Sequence, residues 1–365
     1  MILRLTLLIS ALCCYLTAEA CSSAIITAER SKEGCVMLWK HRDQTKWADT
    51  RIAHFDDGKY AYTALVNSYY KQTYSVYGGI NSAGFGIMST STSNLKRDYE
   101  VETPPEYEYS LSTEALRECA TVDEFEELLK RRRRSSGSQS NIGVGDRFGG
   151  AAYFEIWSDG YKRYDVKDRK EGYDIRTNFS FAGDYNRRGA SERRYRTVDA
   201  QMRSVKSFAA ADFIGYSRSF FSADKGYNIL SDNQTYKDAN YTVPRASSVG
   251  SMVIVCGAEP RIDIIVGHPV AGFAVPVWVD AKHSIPQCVA GRAMFELGQR
   301  FVRAAYTKSG KSKILNKDIA RKALSIKTQI KTPKRMPKDI DAFNAAVDRT
   351  FEKHRNRLVQ VLRLE

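Results

Sequence analysis

The sequence predicts an α+β fold in which two stacked β-sheets are covered by helices. β-Prone runs rich in Val, Ile, Tyr and Phe come in three groups, before residue 89, from 149 to 181 and from 248 to 279. Segments with helical spacing separate these groups and dominate after residue 287. No internal repeat and no linker-like segment divides the 365 residues, so we expect a single domain after residue 20.

The first predicted element of this domain is a β-hairpin. A short β-prone run at 22–27 is followed by a polar turn at 29–34 and a return strand at 35–40, with Asp43 at its end. Runs of β-branched and aromatic residues between turn signals predict the other strands. These are 60–70, 72–77, 85–88, 149–157, 161–166, 174–181, 248–256, 261–266 and 272–279.

Apolar residues at helical spacing predict the helices. In 122–134, Val122, Phe125 and Leu128 follow this spacing, and four arginines in the last turn suit the helix dipole. The other predicted helices are 112–119, 196–210, 211–221 and one near 339–362, within a basic, helical C-terminal tail of about 308–365. Polar composition predicts loops at 100–108, 135–145 and 183–194.

Residues 1–20 have the features of a secretory signal peptide. Arg4 precedes an apolar stretch at 5–16, and Ala18-Glu19-Ala20 has the small-x-small form of a cleavage site. Cleavage there would make Cys21 the first residue, with a thiol and a free α-amine on one Cα. The amine, with an ordinary pKa of about 7.7–8.0, can take the proton of a thiol whose pKa is about 8.5.

Two other interpretations of Cys21 stay open. Cleavage elsewhere would leave it an ordinary small hydrophobic residue. It could also be the acylated cysteine of a lipoprotein, although Glu19 is unusual two residues before such a cysteine. The expected location is the periplasm or the extracellular space, with a lipid anchor if Cys21 is acylated.

Charge and hydropathy narrow the classes of partner. The formal net charge of +14 favours an anionic substrate or an anionic envelope surface. No zinc-finger, helix-turn-helix or RNA-binding signature accompanies the charge, so nucleic acid is not an expected partner. After residue 20, no apolar run approaches the ~20 residues of a membrane span, so no transmembrane segment is expected.

Cysteines and histidines give no metal motif. Five cysteines follow residue 20, so up to two disulfides or five free thiols are compatible with the sequence. The five histidines lack metal-ligand spacing, and Gly78-Gly79 and Gly149-Gly150 do not precede helices as a phosphate loop would. No metal and no cofactor is expected.

The order of several motifs indicates a family. Cys21 follows the export signal, and Lys40-His41-Arg42-Asp43 follows the first strand pair. The later motifs are 79–85 (GINSAGF), 150–155 (GAAYFE), 176–180 (RTNFS), 193–195 (RRY), 267–269 (GHP) and 274–278 (AVPVW). With these motifs the chain from 21 to 280 resembles the N-terminal nucleophile (Ntn) hydrolases of the choloylglycine hydrolase group. This group includes bile salt and penicillin V amidases, acid ceramidase-like amidases and penicillin acyltransferase relatives; the acyltransferase and carcinine hydrolase-like branch is the most similar.

The resemblance implies a four-layer αββα sandwich of two antiparallel sheets, with Cys21 starting a central strand. The implied reaction is attack of the Cys21 thiolate on a linear, non-peptide amide, giving an acyl-enzyme that water or another amine releases. The implied partner is a small-molecule amide, and the positive charge favours an anionic one. Proteins of this group often assemble into homo-oligomers.

The family's Gly-Arg-Asn-x-Asp segment falls on 39–43 of this sequence. Asp43 keeps the aspartate, which in relatives accepts a hydrogen bond from the N-terminal amine. Lys40 occupies the arginine position, and Arg42 lies two residues further on the same strand face. Either cation could lower the pKa of the thiol, and the sequence leaves the choice open.

Three further positions correspond to family residues. Asn178 matches an asparagine that is a candidate amide donor to the oxyanion, and Arg194 matches the distal arginine near the nucleophile. A second asparagine, used by bile salt hydrolases, falls on Ser91, so a hydroxyl or a backbone N–H must replace that donor. Since one oxyanion donor is typically worth ~10²–10³ in kcat, this difference weighs against bile salts as substrates.

The sequence is therefore compatible with three functions. The leading one is an exported cysteine amidase that uses its own α-amine as base. The second is acyl transfer at the same site. The third is a lipoprotein that binds an acylated or anionic ligand without catalysis, which the replacements at Ser91 and Lys40 would favour.

Overall fold

Two antiparallel β-sheets stacked face to face form the centre of the molecule. The computed structural model describes residues 21–44, 49–70, 73–95, 106–132, 139–232, 242–280, 284–309 and 312–363. The predicted signal peptide therefore lies outside the described residues.

Seventeen strands are defined in this part of the chain. In chain order they are β1 (Ser22–Ile26), β2 (Val36–Asp43), β3 (Asp49–Phe55), β4 (Tyr62–Tyr70), β5 (Thr73–Asn81), β6 (Gly86–Ser91), β7 (Ser140–Gly145), β8 (Ala151–Trp157), β9 (Gly160–Asp165), β10 (Tyr173–Arg176), β11 (Phe221–Ser222), β12 (Tyr227–Asn228), β13 (Ser248–Cys256), β14 (Arg261–Val266), β15 (Val275–Trp278), β16 (Tyr306–Ser309) and β17 (Ser312–Leu315). The α-helices are α1 (Glu106–Glu118), α2 (Val122–Arg131), α3 (Gly189–Met202), α4 (Ala210–Arg218), α5 (Gln287–Ala290), α6 (Ala293–Ala305), α7 (Lys317–Ser325) and α8 (Ile340–Leu362).

The strands pair into two large sheets and two small hairpins. The six-stranded sheet has the order β10-β1-β2-β13-β14-β15, and the seven-stranded sheet runs β3-β4-β5-β6-β7-β8-β9. All pairings in both sheets are antiparallel. β1 therefore lies inside its sheet, between β10 and β2, as expected for the strand that follows Cys21.

Two apolar layers hold the sheets and helices together. One core joins the facing surfaces of the sheets and continues under α3, α4 and α6 to α8. A second core packs α1 and α2 on the outer face of the seven-stranded sheet. Helices thus cover both outer faces, and the predicted four-layer αββα sandwich is confirmed. No helix among the described residues is long and apolar enough to cross a membrane.

Several element predictions are wrong, and packing explains them. The segment 135–145 was predicted as a loop because it is rich in Ser and Gly, but Ser140–Gly145 is the inner strand β7. A Cβ at Gly143 would lie 2.7 Å from Met88 Cε of its own sheet and 3.2 Å from Ile25 Cδ1 of the other sheet. Glycine is present because the two sheets approach closely here.

The polar stretch 183–194 contains the start of a helix rather than a loop. α3 begins at Gly189 and buries Arg194, Thr197, Val198 and Met202 on one face. Strand β3 and the β16–β17 hairpin were not predicted, and α1 begins at Glu106, inside the predicted loop 100–108. The five cysteines after residue 20 are all free thiols.

We expect Gly86→Val to lower the free energy of unfolding by about 1–3 kcal/mol, the usual cost of overpacking. A Cβ there would lie 2.7 Å from Ile254 Cγ2 and 3.0 Å from Cys256 Sγ, between the sheets. Gly215→Ala in α4 is the control, because a Cβ there would meet nothing within 4 Å. This substitution should raise the free energy of unfolding by about 0.5–1 kcal/mol, because alanine is the better helix former. Urea unfolding of both variants checks this, and an unchanged midpoint for Gly86→Val would contradict it.

Candidate active site

Cys21 lies immediately before β1, and its side chain is buried, with 2% of its surface exposed. Two residues on, the Ser23 hydroxyl points at the seven-stranded sheet, where it accepts hydrogen bonds from Tyr153 (3.0 Å) and Thr90 (3.3 Å). Because alternate residues share a strand face, the Cys21 thiol is directed into the same space between the sheets.

A carboxamide oxygen holds the main-chain nitrogen of Cys21. This nitrogen donates to Asn178 Oδ1 at 2.7 Å, and Arg194 Nη2 donates to the same oxygen at 2.8 Å. Arg194 Nη1 also donates to the Cys21 carbonyl oxygen. Two donors converge on Oδ1, so the amide orientation of Asn178 is fixed by its partners.

The amide nitrogen of Asn178 reaches the other sheet. Nδ2 donates to the Ser91 carbonyl oxygen at 2.8 Å and lies 3.4 Å from Ser91 Oγ, at the end of β6. The structure thus brings Cys21, Asn178, Ser91 and Arg194 together. Asn178 donates to Ser91 and its oxygen positions Cys21, and its donation to an oxyanion stays a prediction.

A buried network that the sequence did not reveal supports Asn178. Arg176 Nε donates to Glu155 Oε1 at 2.8 Å, and both side chains are fully buried. Glu155 also accepts the N–H groups of Phe181 and Ala182, at 2.8 and 2.7 Å. The isolated acid in the β-prone run 151–157 was the available signal, because a buried charge needs a partner.

Asn141 and Asn94 complete this support. Asn141 Nδ2 donates to the carbonyl oxygens of Thr177 (3.0 Å) and Phe179 (2.9 Å), on either side of Asn178. Asn94 accepts the N–H of Ser180 at 2.7 Å. The loop that carries Asn178 is therefore fixed on both sides by side-chain amides.

Two buried cations share the strand face of the thiol. Lys40 lies opposite Ser23 in the β1–β2 pair, and its Nζ donates to the Ser89 carbonyl oxygen. Arg42 is two residues further along β2, so it lies on the same face. Both side chains have about 1% of their surface exposed.

Arg42 is surrounded by neutral groups. Its guanidinium donates to Thr50 (3.1 Å), Asn67 (3.2 Å) and Gln44, and stacks 3.6 Å from the centre of the Tyr77 ring. Within the described residues, neither Arg42 nor Lys40 has a carboxylate within 4 Å. The two cations therefore lie on the strand face assigned to the thiol without a carboxylate partner, and the geometry does not choose between them.

Asp43 points to the opposite face of β2, toward the helices. Its carboxylate accepts from Ser248 Oγ at 2.6 Å, lies 3.3 Å from His41 Nε2, and pairs with Arg245 Nε at 2.9 Å. Burial favours the neutral acid, but Arg245, His41 and Ser248 outweigh it and lower the pKa of Asp43 to about 2. The Cys21 nitrogen, a peptide nitrogen in the full-length chain, donates to Asn178, and the hydrogen bond from a free N-terminal amine to Asp43 stays a prediction.

Arg245 is a site residue that the sequence did not indicate, because it lies in a loop without a motif. Burial and the nearby Arg245 lower the pKa of Arg194 to about 9, while Asp43 and Cys21 act in the opposite direction. Electrostatic coupling thus connects Cys21, Arg194, Asp43 and Arg245 in one cluster. Arg194 remains protonated near neutral pH.

We expect the protein to lose stability as the pH falls below about 6.5, partly because of His268. Burial lowers the pKa of His268 to about 3, and the ring bonds Arg245 O (3.1 Å) and Val270 N (3.2 Å) in its neutral form. His268 therefore binds a proton in the unfolded chain at a higher pH than in the folded chain. Between the two pKa values, this one proton lowers the free energy of unfolding by about 1.4 kcal/mol for each unit that the pH falls.

The pH dependence of chemical unfolding between pH 4 and 8 measures this slope. His268→Gln should reduce it, whereas His54→Gln, on strand β3, is the matched control. An identical slope in His268→Gln and the unmodified protein would contradict the assignment.

The structure is similar to solved structures of amide hydrolases at low sequence identity. A Caenorhabditis elegans N-acylethanolamine-hydrolyzing acid amidase ortholog is 16% identical, covers 65% of this chain and 93% of its own, and has a TM-score of 0.44. A variant of the conjugated bile acid hydrolase from Clostridium perfringens is 13% identical, covers 74% and 94%, and has a TM-score of 0.45. Penicillin V acylase from Agrobacterium tumefaciens is 14% identical, covers 73% and 89%, and has a TM-score of 0.42.

No protein-family model and no curated protein sequence matches the chain. Bile acid hydrolases and penicillin V acylases are among the enzymes of the group that the sequence resembles. All three TM-scores lie below 0.5, so these matches give no evidence of activity for this chain.

Proposed function

We propose that the protein is an exported cysteine Ntn hydrolase that cleaves a linear, non-peptide amide through an acyl-enzyme on Cys21. The observation that carries this proposal is the environment of Cys21. Its nitrogen, at the predicted cleavage site, donates to Asn178, which Arg194 holds in turn. By strand alternation its thiol lies on the buried face that carries Lys40 and Arg42. A structural cysteine needs neither arrangement.

The mechanism begins with removal of residues 1–20, which turns the peptide nitrogen of Cys21 into an α-amine. Asn178 Oδ1 then orients this amine through one N–H, so that its lone pair is free to take the thiol proton. The thiolate attacks the amide carbonyl carbon, a C–S bond forms, and a tetrahedral oxyanion results. The amine transfers its proton to the leaving nitrogen, and the C–N bond breaks.

Water completes the cycle. The α-amine accepts a proton from water, the hydroxide oxygen attacks the thioester carbon, and the C–S bond breaks to give the acid and the free thiol. The second N–H of Asn178 donates to Ser91 Oγ at 3.4 Å, and it would turn from this hydroxyl to the oxyanion in both steps. Arg194 acts as a positioning residue, because it holds Asn178 and the Cys21 carbonyl rather than the reacting carbon. The Arg245–Asp43 pair contacts neither group and acts on Arg194 through its charges.

Lys40 and Arg42 favour the presence of a negatively charged group at this site. A buried cation without a carboxylate partner is costly unless an anion joins it, and the Cys21 thiolate or an acidic group of the substrate supplies one. The net charge of +14 favours the same class of substrate. The buried position of the thiol argues against a lipid anchor on Cys21, since an attached diacylglycerol would have to leave the space between the sheets.

The test is to express the full-length gene in a secreting host and determine the N-terminal sequence and intact mass. We expect a chain that starts at unmodified Cys21 and hydrolyses members of a panel of N-acyl anilides and N-acyl amino acids. Cys21→Ala should lower kcat/KM at least about a thousandfold without changing thermal unfolding. Cys35→Ala is the matched control, because Cys35 is a thiol at the start of β2 outside the site.

A start well past Cys21, a lipid on its sulfur, or full activity of Cys21→Ala would each overturn the proposal. The same reactions analysed with added amine acceptors separate hydrolysis from acyl transfer. A transferase would form the new amide faster than the free acid.

We expect Arg42→Met to slow alkylation of Cys21 by iodoacetamide and to lower kcat/KM about 10–100-fold, because positive charge beside the thiolate is lost. Arg42→Lys should restore part of both rates. Lys162→Met, at the exposed position of the edge strand β9, is the control for removal of a charge far from the site. Unchanged alkylation in both Arg42→Met and Lys40→Met would show that these cations do not act on the thiol, and thermal unfolding reports any loss of folding.

A further inference from the structure

The positive charge of the protein is concentrated in one part of the chain. Residues 308–365 hold 16 of the 56 Lys and Arg residues but only 6 of the 42 acids, so they carry +10 of the net +14. This segment follows α6 and includes α7, an extended strap at 326–338 and the long helix α8. None of the proposed catalytic residues belongs to it.

Each described acid of this segment has a partner that is not one of the outward-pointing cations described next. Asp339 caps α8 through the Ala342 N–H, and Asp348 accepts the N–H groups of Gln287 and Cys288 at the start of α5. The remaining described acids bind neighbours: Asp341 with Ser284, Asp318 with Arg321, and Glu352 with Arg355. Asp318 and Glu352 are themselves exposed, and their ion pairs with Arg321 and Arg355 lie at the surface.

Eight cations of the segment point outward, and we call them the basic surface. They are Lys327, Lys331, Lys334, Arg335 and Lys338 of the strap and Arg349, Lys353 and Arg357 of α8. All eight side chains are exposed. Across the described ranges of the chain, none of them has a carboxylate within 4 Å.

One contact holds part of the strap beside α8, close to cations of both elements. Arg349, Lys353 and Arg357 are spaced four residues apart, so they form a stripe along the helix about 12 Å long. The strap is fixed beside the helix, because His354 Nδ1 bonds Thr328 Oγ1 at 2.8 Å. Lys327 precedes Thr328 in the chain, and Lys353 precedes His354. These two cations, one from the strap and one from the helix, therefore lie next to the same contact.

We propose that the basic surface binds the anionic phospholipid headgroups of a membrane and holds the enzyme there. Clustered Lys and Arg bind such a surface additively, by about fivefold for each charge. Val361 continues the stripe four residues after Arg357 and is 37% exposed, so the stripe ends in an apolar side chain suited to the interface. The exposed aromatic side chains of the described residues, Phe148 and Tyr185, lie elsewhere, so the surface lacks the stacking groups of a single-strand nucleic-acid site.

The experiment is sedimentation of the purified protein with vesicles of phosphatidylcholine alone or with about a third of phosphatidylglycerol. We expect binding to the anionic vesicles only, with loss of binding as the salt concentration rises from about 0.05 to 0.5 M. Arg349→Gln, Lys353→Gln and Arg357→Gln combined should weaken binding about a hundredfold. The matched control combines Lys162→Gln, Lys167→Gln and Lys170→Gln, which remove three exposed cations from another region and should leave binding unchanged.

Equal binding to both vesicle types, no binding to either, or equal loss in the two triple variants would overturn the proposal. So would tighter binding to double-stranded DNA than to the anionic vesicles at 0.15 M salt, which would assign the surface to nucleic acid. Thermal unfolding of the variants checks that they are folded. The hydrolytic activity on a soluble amide is measured separately and should be the same in all of them, so this result is independent of the proposed function.

Discussion

The carboxamide of Asn178 joins the parts of the site that come from different layers of the fold. Its oxygen binds the Cys21 nitrogen and Arg194, and its nitrogen binds Ser91 in the opposite sheet. Because a carboxamide accepts on one side and donates on the other, it fits between a main-chain N–H and a main-chain carbonyl. The Arg176–Glu155 pair and Asn141 are then explained as the groups that keep this loop in place.

The two-residue period of strand β2 gives the site its two charged regions. Lys40 and Arg42 face the interior of the sandwich, whereas His41 and Asp43 face the helices. Four consecutive polar residues at a strand end thus serve two separate environments: neutral partners surround the cations, and an ion pair with Arg245 satisfies the acid. A shift of one residue in the β1–β2 register would turn each of these side chains to the other face of the sheet, and all four would lose their partners.

The sequence was sufficient for the layered fold and for most residues of the site, because both rest on local signals. The alternation of β-prone runs with helical blocks predicted the sandwich, and the motifs around Cys21, Asn178 and Arg194 predicted residues that the fold brings together. Arg245 could not be found, since its partner Asp43 lies about 200 residues away and no local pattern marks it. Strand β7 was missed because the same glycines that permit close contact between sheets are typical of loops.

The close contact between the sheets also limits the space around Cys21. Gly86 and Gly145 lie against Leu38, far along β2 from the end where Cys21 and Arg42 lie, and leave no room there for even one more carbon atom. The space between the sheets is therefore closed in the direction of Leu38. If Cys21 is the nucleophile proposed above, its substrate would have to lie at the Arg42 end of β2, and that end would set the size of the acyl group.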